Sequence, residues 1–300
     1  MNQAKTGRLR EIRAIFILLL TAGIWGFAFA AQRQASLYLS PFTFGAARFL
    51  MGAAALYLFV LPKDKKSGKR FTKKEWINGA IIGAALFAAA TLQQIGIGMT
   101  SAGQAGFLSA LYVVLVPIIG LLFGRRTNGA TWLALLLAVP ALYLLCMTDG
   151  GFVLSVGDAW LLSSAIFWAL HILFTDRFVQ GADPLHLCVS QFLFCGVLNL
   201  VCALLFETTT AENMQNAFLS VLYVGLMSTA VAYTLQAIGQ RDAKPAHAAL
   251  VLSMESVFSV IAGALLLGER MTTPAYFGCA LMFAAVVLSQ LKSAKEESHV

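Results

Sequence analysis

The segment LQQIG at residues 92–96 occurs again as LQAIG at residues 235–239. The two copies lie 143 residues apart, and the same offset aligns identical residues in other parts of the chain without a gap. These further pairs are Trp25 with Trp168, Pro41 with Pro184, Phe49 with Phe192 and Gly120 with Gly263. One offset that fits several separate segments indicates an internal duplication.

The chain has the composition of a membrane protein. Of the 300 residues, 59% are hydrophobic and 12% are charged, whereas soluble domains are about 45–50% apolar and about 25% charged. The apolar residues form stretches of roughly 18–25 residues, which is the length that a helix needs to cross about 30 Å of hydrocarbon. The sequence therefore predicts an all-α integral membrane protein.

Apolar runs bounded by charged residues, Gly or Pro predict ten transmembrane helices. Each half then holds five helices, an odd number, so the second half enters the membrane from the opposite side. We therefore expect two inverted five-helix repeats, residues 1–147 and 148–300. The predicted spans are 14–31, 41–61, 76–98, 102–123, 129–147, 157–175, 184–206, 217–239, 245–267 and 273–290.

Lys and Arg residues are distributed unequally between the two sets of loops. Of the 21, 18 lie in the terminal segments and in the loops on the same side, including the 62–74 loop. Arg33 and Arg270 lie on the opposite side, and Arg48 lies inside a span. Because cytoplasmic loops carry the excess of Lys and Arg, we expect a multi-pass protein of the cell (inner) membrane with both termini in the cytoplasm. This placement also accounts for the charge of +7 without a nucleic-acid partner.

Two full charges lie within the predicted spans, Arg48 and Glu255. A charge at the bilayer centre costs about 2.5–3.5 kcal/mol on insertion scales, so each needs a partner, water or a function. For Glu255 the sequence allows a coupling proton or contact with a substrate amine, or else a structural hydrogen bond to a neighbouring helix. For Arg48 it allows a tie between helices or substrate binding. An ion pair between the two is also compatible with the sequence.

Aromatic, amide and imidazole side chains lie on helical faces deep within several spans. Such faces are typical of a cavity with aromatic walls and a few orienting hydrogen-bond groups, and the alternative is helix packing. The predicted cavity residues are Trp25, Gln93, Gln94, Tyr112, Trp168, His171, Tyr233 and Gln236.

Several short motifs resemble the EamA-like branch of the drug/metabolite transporter superfamily. They are Ile24-Trp25-Gly26, Arg48-Phe49-Leu50, Leu92-Gln93-Gln94-Ile95-Gly96, residues 101–108 running into 112–117, and Leu266-Leu267-Gly268-Glu269-Arg270. The resemblance covers nearly the whole chain, and it implies a ten-helix, two-repeat fold that exports or exchanges small metabolites such as amino acids. The ninth span departs from the family pattern: it reads Glu255-Ser256 where the family often has Glu-Pro, so the proline that would bend this helix is missing.

These observations predict a secondary transporter (permease) that exports or exchanges small metabolites, such as amino acids or related amphipathic compounds, by alternating access. The movement is either coupled to protons through Glu255 or uncoupled. The expected partners are the small-molecule substrate and the lipid bilayer. The sequence has no P-loop for direct use of ATP and no His/Cys spacing for a metal, so neither a cofactor nor a metal is expected.

Three alternatives stay open from the sequence. A nucleotide-sugar exchanger requires a buried cluster of Lys and Arg for the diphosphate, and one Arg is too few. A membrane enzyme requires a reactive constellation at membrane depth, and the His residues are scattered, so we do not expect an enzyme. A membrane scaffold or sensor that does not transport requires no polar groups on matching helices.

Overall fold

Helices form along every apolar stretch, because a backbone without access to water must satisfy its hydrogen bonds within its own segment. The computed structural model describes residues 2–124, 127, 129–146, 155–270 and 272–296, and these contain no β-strand. The helices are α1 (Asn2–Ala35), α2 (Pro41–Ser67), α3 (Lys73–Ile97), α4 (Ala102–Ala110), α5 (Tyr112–Leu122), α6 (Gly129–Cys146), α7 (Val156–Val179), α8 (Pro184–Phe206), α9 (Ala211–Asn216), α10 (Phe218–Tyr223), a π-helical segment (Val224–Tyr233), α11 (Thr234–Gln240), α12 (Pro245–Leu252), α13 (Glu255–Leu267) and α14 (Thr273–Glu296).

Within the described residues, eight segments are long and apolar enough to cross a membrane. They are Leu9–Ala35, Pro41–Ser67, Lys73–Ile97, Ala102–Leu122, Val156–Val179, Pro184–Phe206, Phe218–Gln240 and Pro245–Leu267. Two shorter apolar segments, Thr131–Leu144 and Tyr276–Leu288, lie in α6 and α14. The all-α membrane class is therefore confirmed, while ten crossings and the inverted relation of the halves stay predictions. The predicted boundary between the halves at 147–148 lies outside the described residues.

The fourth and ninth predicted spans are each interrupted. α4 and α5 meet at Leu111, and α12 and α13 meet at Ser253-Met254. The ninth span is interrupted although no proline lies at the break. Hydroxyl groups instead donate to the carbonyl oxygen three residues earlier, from Ser253 to Leu250 at 2.7 Å, from Ser256 to Ser253 at 2.7 Å and from Ser259 to Ser256 at 2.8 Å. Such local bonds compete with the helical ladder and bend helices, so serines take the place of the absent proline.

Helices of the two halves pack against each other in corresponding pairs. α2 lies along α8, α3 lies along α7 and α8, and α6 lies along α14. The 143-residue offset maps α3 onto α11 and maps α1 onto α7. α1 packs on α11 as α3 packs on α7. The contact between the third helix of one half and the first helix of the other is therefore present twice.

The glycines of the repeated LQxIG segment lie in these paired contacts. A Cβ atom on Gly96 would lie 2.5 Å from Cγ of Leu161, and a Cβ atom on Gly239 would lie 2.8 Å from Cγ of Leu18. The offset maps Leu18 onto Leu161 as it maps Gly96 onto Gly239. Each copy of the segment therefore ends on a glycine because it packs closely on the first helix of the other half.

Two polar clamps hold α2 to α8 at opposite ends of the pair. At one end the Glu207 carboxylate accepts hydrogen bonds from the backbone N–H groups of Phe42 at 2.9 Å and Thr43 at 2.7 Å. At the other end Asp64 and His186 Nε2 are 2.9 Å apart. The offset relates Asp64 to Glu207 and Thr43 to His186. We refer to the two ends of the helix bundle as the Asp64 end and the Glu207 end.

Replacing Gly96 or Gly239 with alanine is expected to lower the free energy of unfolding by about 1–3 kcal/mol, because the added methyl group overpacks a close helix contact. The measurement is the fraction of protein that still elutes as a single species from a size-exclusion column after heating in detergent. Gly181→Ala is the matched control, since a Cβ atom there has no neighbour within 4 Å. Equal losses in all three variants would contradict the packing role of the two glycines.

Candidate functional site

A cavity lies between the two halves, next to the two helix breaks. Its water-accessible volume is about 30 Å³, which is enough for one or two water molecules. Eight residues predicted from the sequence line it, namely Trp25, Arg48, Gln93, Tyr112, Trp168, Tyr233, Gln236 and Glu255. The space between these side chains is therefore narrow, and a larger molecule requires helices to move apart.

Three aromatic rings form one wall of the cavity. The ring centres of Trp25 and Tyr233 are 4.7 Å apart, those of Trp168 and Tyr233 are 6.2 Å apart, and those of the two Trp residues are 6.5 Å apart. Trp25 Nε1 donates to the carbonyl oxygen of Ser228 at 3.2 Å, within the π-helical segment that Tyr233 ends. π-Helical turns are rare and are frequent at functional sites. The wall thus joins the first, sixth and eighth predicted spans.

Arg48 is buried on α2, with 2% of its surface exposed. Its Nη1 donates to Gln32 Oε1 at 2.9 Å. The guanidinium carbon lies 4.4 Å from the ring centre of Phe49 and 5.3 Å from that of Phe44, positions at which the negative face of a ring attracts a cation. Its Nε–H has no hydrogen-bond partner among the described residues. Arg48 therefore ties α1 to α2 and still has an unused donor.

Glu255 and Tyr112 occupy matching positions in the two halves. Tyr112 is the first residue of α5 and Glu255 is the first residue of α13, each directly after a helix break, and the offset maps one onto the other. The Tyr112 hydroxyl interacts with the Glu255 carboxyl but makes no hydrogen bond of standard geometry with any described residue. Within the described part of the chain, Glu255 forms no ion pair with Arg48. The cavity thus has one cationic and one acidic residue in its lining, and they are not paired.

The two repeat-related glutamines differ in their partners. Gln93 Nε2 donates to the Ser109 hydroxyl at 3.0 Å. Gln236 Nε2, its counterpart, has no hydrogen-bond partner among the described residues. Gln93 is therefore held in place by the protein, whereas Gln236 can donate to a molecule in the cavity.

His171 and Gln94 lie outside the cavity lining. His171 is buried behind the aromatic wall, where its Nε2 is 2.9 Å from Gln191 Oε1 and its ring centre is 5.7 Å from those of Trp168 and Tyr233. Gln94 Nε2 donates to the carbonyl oxygen of Gln32 at 3.2 Å. Both residues position neighbours of the cavity, and direct contact with a substrate stays a prediction for each.

The cavity lining also contains Phe29, Gln32, Ile172 and Ser228, which the sequence analysis did not select. Phe29 and Ile172 are one turn beyond Trp25 and Trp168 and are related by the same offset. Extending each predicted stripe by one turn and checking its counterpart would have found this pair. Ser228 lies in the π-helical segment and lines the cavity from there. The sequence has no pattern that predicts a π-helix at this position.

Two larger cavities lie at the ends of the bundle, each of about 390 Å³. The cavity at the Asp64 end includes Val116 and Leu173, and the cavity at the Glu207 end includes Gln94 and Met99. Val116 is one helical turn from Tyr112, which lines the central cavity. Gln94 likewise follows Gln93, so each end cavity includes a residue close in sequence to one that lines the central cavity. Among the described residues, no group of three or more His, Cys, Asp and Glu side chains is arranged to hold a metal ion.

A double-mutant cycle with Arg48→Met and Gln32→Leu is expected to give a coupling free energy of about 1.5–3 kcal/mol, the range for hydrogen bonds to charged groups. Unfolding by titration with sodium dodecyl sulfate measures each variant. Arg48→Met combined with Gln104→Leu is the control, because Gln104 bonds to Asp158 instead and separate sites are additive. A coupling close to zero in the Arg48–Gln32 cycle would show that the contact does not tie α1 to α2.

The comparisons with known proteins agree on one family. The model of the EamA-like transporter family matches residues 12–147 and 155–291. An uncharacterized transporter of Archaeoglobus fulgidus is 31% identical over 95% of this chain and 88% of its own length. The uncharacterized inner membrane transporter YedA of Escherichia coli (strain K12) is 24% identical over 95% of this chain and 93% of its own.

Solved structures share the fold, and one of them illustrates the similarity. It is described as a crystal structure of protein, and it superposes with a TM-score of 0.78 at 18% identity, covering 95% of this chain and 99% of its own. The family match extends over both halves and includes the motifs that surround the central cavity. The chain therefore belongs to the EamA-like transporter family and is a multi-pass membrane transporter of the drug/metabolite type.

Proposed function

We propose that this protein is a secondary transporter that moves a small zwitterionic metabolite, such as an amino acid, by alternating access. The observation that carries the proposal is the lining of the central cavity, where Arg48 and Glu255 are both buried and are not paired with each other. A buried charge without an ionic partner is costly in a membrane. A substrate that has both a carboxylate and an ammonium group offsets both costs when it binds.

The geometry assigns a position to each part of such a substrate. The unused Nε–H of Arg48 suits the carboxylate, because guanidinium groups bind carboxylates with directed, charge-assisted hydrogen bonds. Glu255 and the faces of Trp25 and Trp168 suit the ammonium group, which carboxylates and aromatic faces both attract. This arrangement favours one orientation of the substrate.

The helix breaks support an alternating-access mechanism. Transporters of inverted-repeat architecture bind substrate near the membrane centre, at helices that are interrupted there. Here the breaks at Leu111 and Ser253-Met254 immediately precede Tyr112 and Glu255, so bending at a break moves a residue of the cavity. The repeat-related contacts of Gly96 and Gly239 support the proposed inverted relation of the two five-helix halves.

We also infer that Glu255 couples transport to protons. Glu255 is buried, and a buried carboxylate loses the stabilisation that water gives to its charge. Its charge is neutralised when either a proton or the ammonium group of a substrate binds. Because the proton and the ammonium group compete for the same carboxyl group, the transporter exchanges a proton on one side of the membrane for a substrate molecule on the other. With a proton gradient directed into the cell, this exchange drives export of the substrate.

The cavity does not favour the alternative of nucleotide-sugar exchange. A diphosphate requires several cationic donors, and Arg48 is the single Lys or Arg among the described residues that line the cavity. A scaffold or sensor without transport does not require a central cavity with two larger cavities at the ends of the bundle. We therefore place transport first.

Counterflow in liposomes tests the proposed substrate. The purified protein is expected to accumulate a labelled neutral amino acid from a panel of metabolites when the unlabelled compound is inside, because exchange requires no external energy. Arg48→Gln is expected to reduce this uptake by about tenfold or more, which corresponds to about 1.4 kcal/mol or more of lost binding. Uptake of no compound in the panel by folded wild-type protein would contradict the proposal.

Proton coupling has its own test. An imposed pH gradient is expected to drive uphill movement of the substrate in the wild type, and Glu255→Gln is expected to abolish the effect of the gradient because the amide cannot take up a proton. Glu212→Gln is the matched control, since Glu212 lies exposed on α9. A full gradient effect in Glu255→Gln would exclude Glu255 as the coupling residue and would leave the substrate proposal standing.

We further propose that both termini lie in the cytoplasm, with ten helices crossing the inner membrane. The expectation is that a membrane-impermeant maleimide labels Ser40→Cys on intact cells and labels Lys66→Cys only after permeabilisation, because the Asp64 end carries the cationic loops. The measurement uses single-cysteine proteins in which the five native cysteines are replaced. Labelling of the two positions from the same side would contradict the topology.

A further inference from the structure

We propose that a groove between α3 and α8 at the Asp64 end binds an anionic phospholipid, with one acyl chain in the groove and the phosphate beside Lys73. The groove has a volume of about 570 Å³. Its lining residues are Lys73, Trp76, Ile77, Ala80, Ile81 and Phe194. This inference depends on the chain being a membrane protein and is independent of the transported substrate.

The part of the groove away from Lys73 is apolar and faces outward from the bundle. Ile77 is 50% exposed, Ile81 is 41% exposed and Phe194 is 39% exposed. Ile77 and Ile81 are four residues apart and therefore lie on one face of α3. From Lys73 to Ile81 the groove follows α3 for about 12 Å, which is most of the thickness of one leaflet of hydrocarbon. The shape and length suit an acyl chain.

The end of the groove near Lys73 has the composition of a membrane–water interface. Trp76 borders it, and Trp is enriched at membrane–water interfaces. The Trp76 ring stacks on Phe71 with ring centres 5.3 Å apart, and Phe71 stacks on His186 at 4.0 Å. The stack connects Trp76 to the Asp64–His186 clamp, so this border of the groove is held in a fixed position.

The charge around the groove is complementary to an anionic headgroup. The segment 62–74, predicted as a loop, forms the end of α2, the connection 68–72 and the start of α3 in the structure. It contains seven cationic residues and one acidic residue, Asp64. Lys69 is engaged with Asp183 at 2.9 Å, and this hydrogen bond raises the pKa of Lys69. Lys63 lies 3.9 Å from the ring centre of Phe59. Five exposed cations form no ion pair with any described residue, namely Lys65, Lys66, Arg70, Lys73 and Lys74.

Lys73 belongs both to the groove lining and to the cationic segment 62–74. It lines the groove, and it is the first residue of α3, within the cationic segment 62–74. Lys74 has the same charge and neighbouring position but is not part of the groove lining. A bound lipid therefore depends on Lys73, whereas general attraction to an anionic surface depends equally on both lysines.

Native mass spectrometry of the full-length protein in detergent tests this inference. Equal amounts of 1-palmitoyl-2-oleoyl phosphatidylglycerol and the phosphatidylcholine with the same chains are added together. Wild-type protein is expected to retain phosphatidylglycerol over phosphatidylcholine by about fivefold, the factor expected for one cation near the headgroup. Lys73→Gln is expected to bring the ratio close to one, and Lys74→Gln is expected to leave it within about twofold of wild type.

Two further variants test the acyl-chain part of the groove. Ala80→Phe fills the groove and is expected to reduce retention of both lipids, while Ala84→Phe, one turn further and outside the lining, is expected to have no effect. Lys73→Arg is expected to keep the preference for phosphatidylglycerol, because it keeps the positive charge. This variant and the elution profile of each variant show whether a loss in Lys73→Gln comes from misfolding.

Several results would overturn the inference. Equal retention of the two lipids by wild type excludes an anionic preference, and equal losses in Lys73→Gln and Lys74→Gln indicate diffuse surface charge. Displacement of the lipid by soluble glycerol phosphate indicates a site for a free phosphate. The appearance of dimers that lose bound lipid indicates that a second copy of the chain covers the groove.

Discussion

The absence of water from the membrane interior is the constraint on which this structure depends. Every polar group at membrane depth must find its partner within the bundle or have a function there. Arg48 is held by Gln32 and two phenylalanine rings, and His171 is held by Gln191. Both pairs join the first and second helices of one half. Because the polar side chains point away from lipid, they converge between the halves, and the cavity lies where they meet.

The two halves have kept equivalent packing contacts and differ in the cavity. Gly96 and Gly239 make the same contact with leucines of the opposite half, because close helix approach tolerates no side chain at either position. Tyr112 and Glu255 are also equivalent in position, yet one is neutral and the other acidic. The cavity between the two halves is therefore lined by a neutral hydroxyl group from one half and by a carboxyl group from the other. This difference is what can hold a zwitterion in one orientation.

The helix breaks connect this cavity to the mechanism. A continuous transmembrane helix is stiff because each backbone carbonyl is bonded along the axis. The serine hydroxyls at Ser253 and Ser256 replace part of that ladder with local bonds, so the segment before Glu255 bends at lower cost. The clamps at Asp64 and Glu207 act in the opposite direction, since they hold α2 to α8 at both ends. The parts proposed to move and the clamped parts therefore lie on different helices.

The sequence by itself determined the membrane class, the helical stretches and the repeat offset, and it predicted eight of the residues that line the central cavity. These follow from local properties, namely the length of apolar runs, the 3.6-residue period and the rarity of charge at membrane depth. Only the tertiary structure decided that His171 and Gln94 lie behind the lining, that Phe29, Gln32, Ile172 and Ser228 belong to it, and that Arg48 and Glu255 are not paired. It also showed a break at Ser253-Met254, although Ser256 stands where the family pattern often has proline. The physical reason is that the rotation and bending of each helix depend on its packing against helices far away in the sequence.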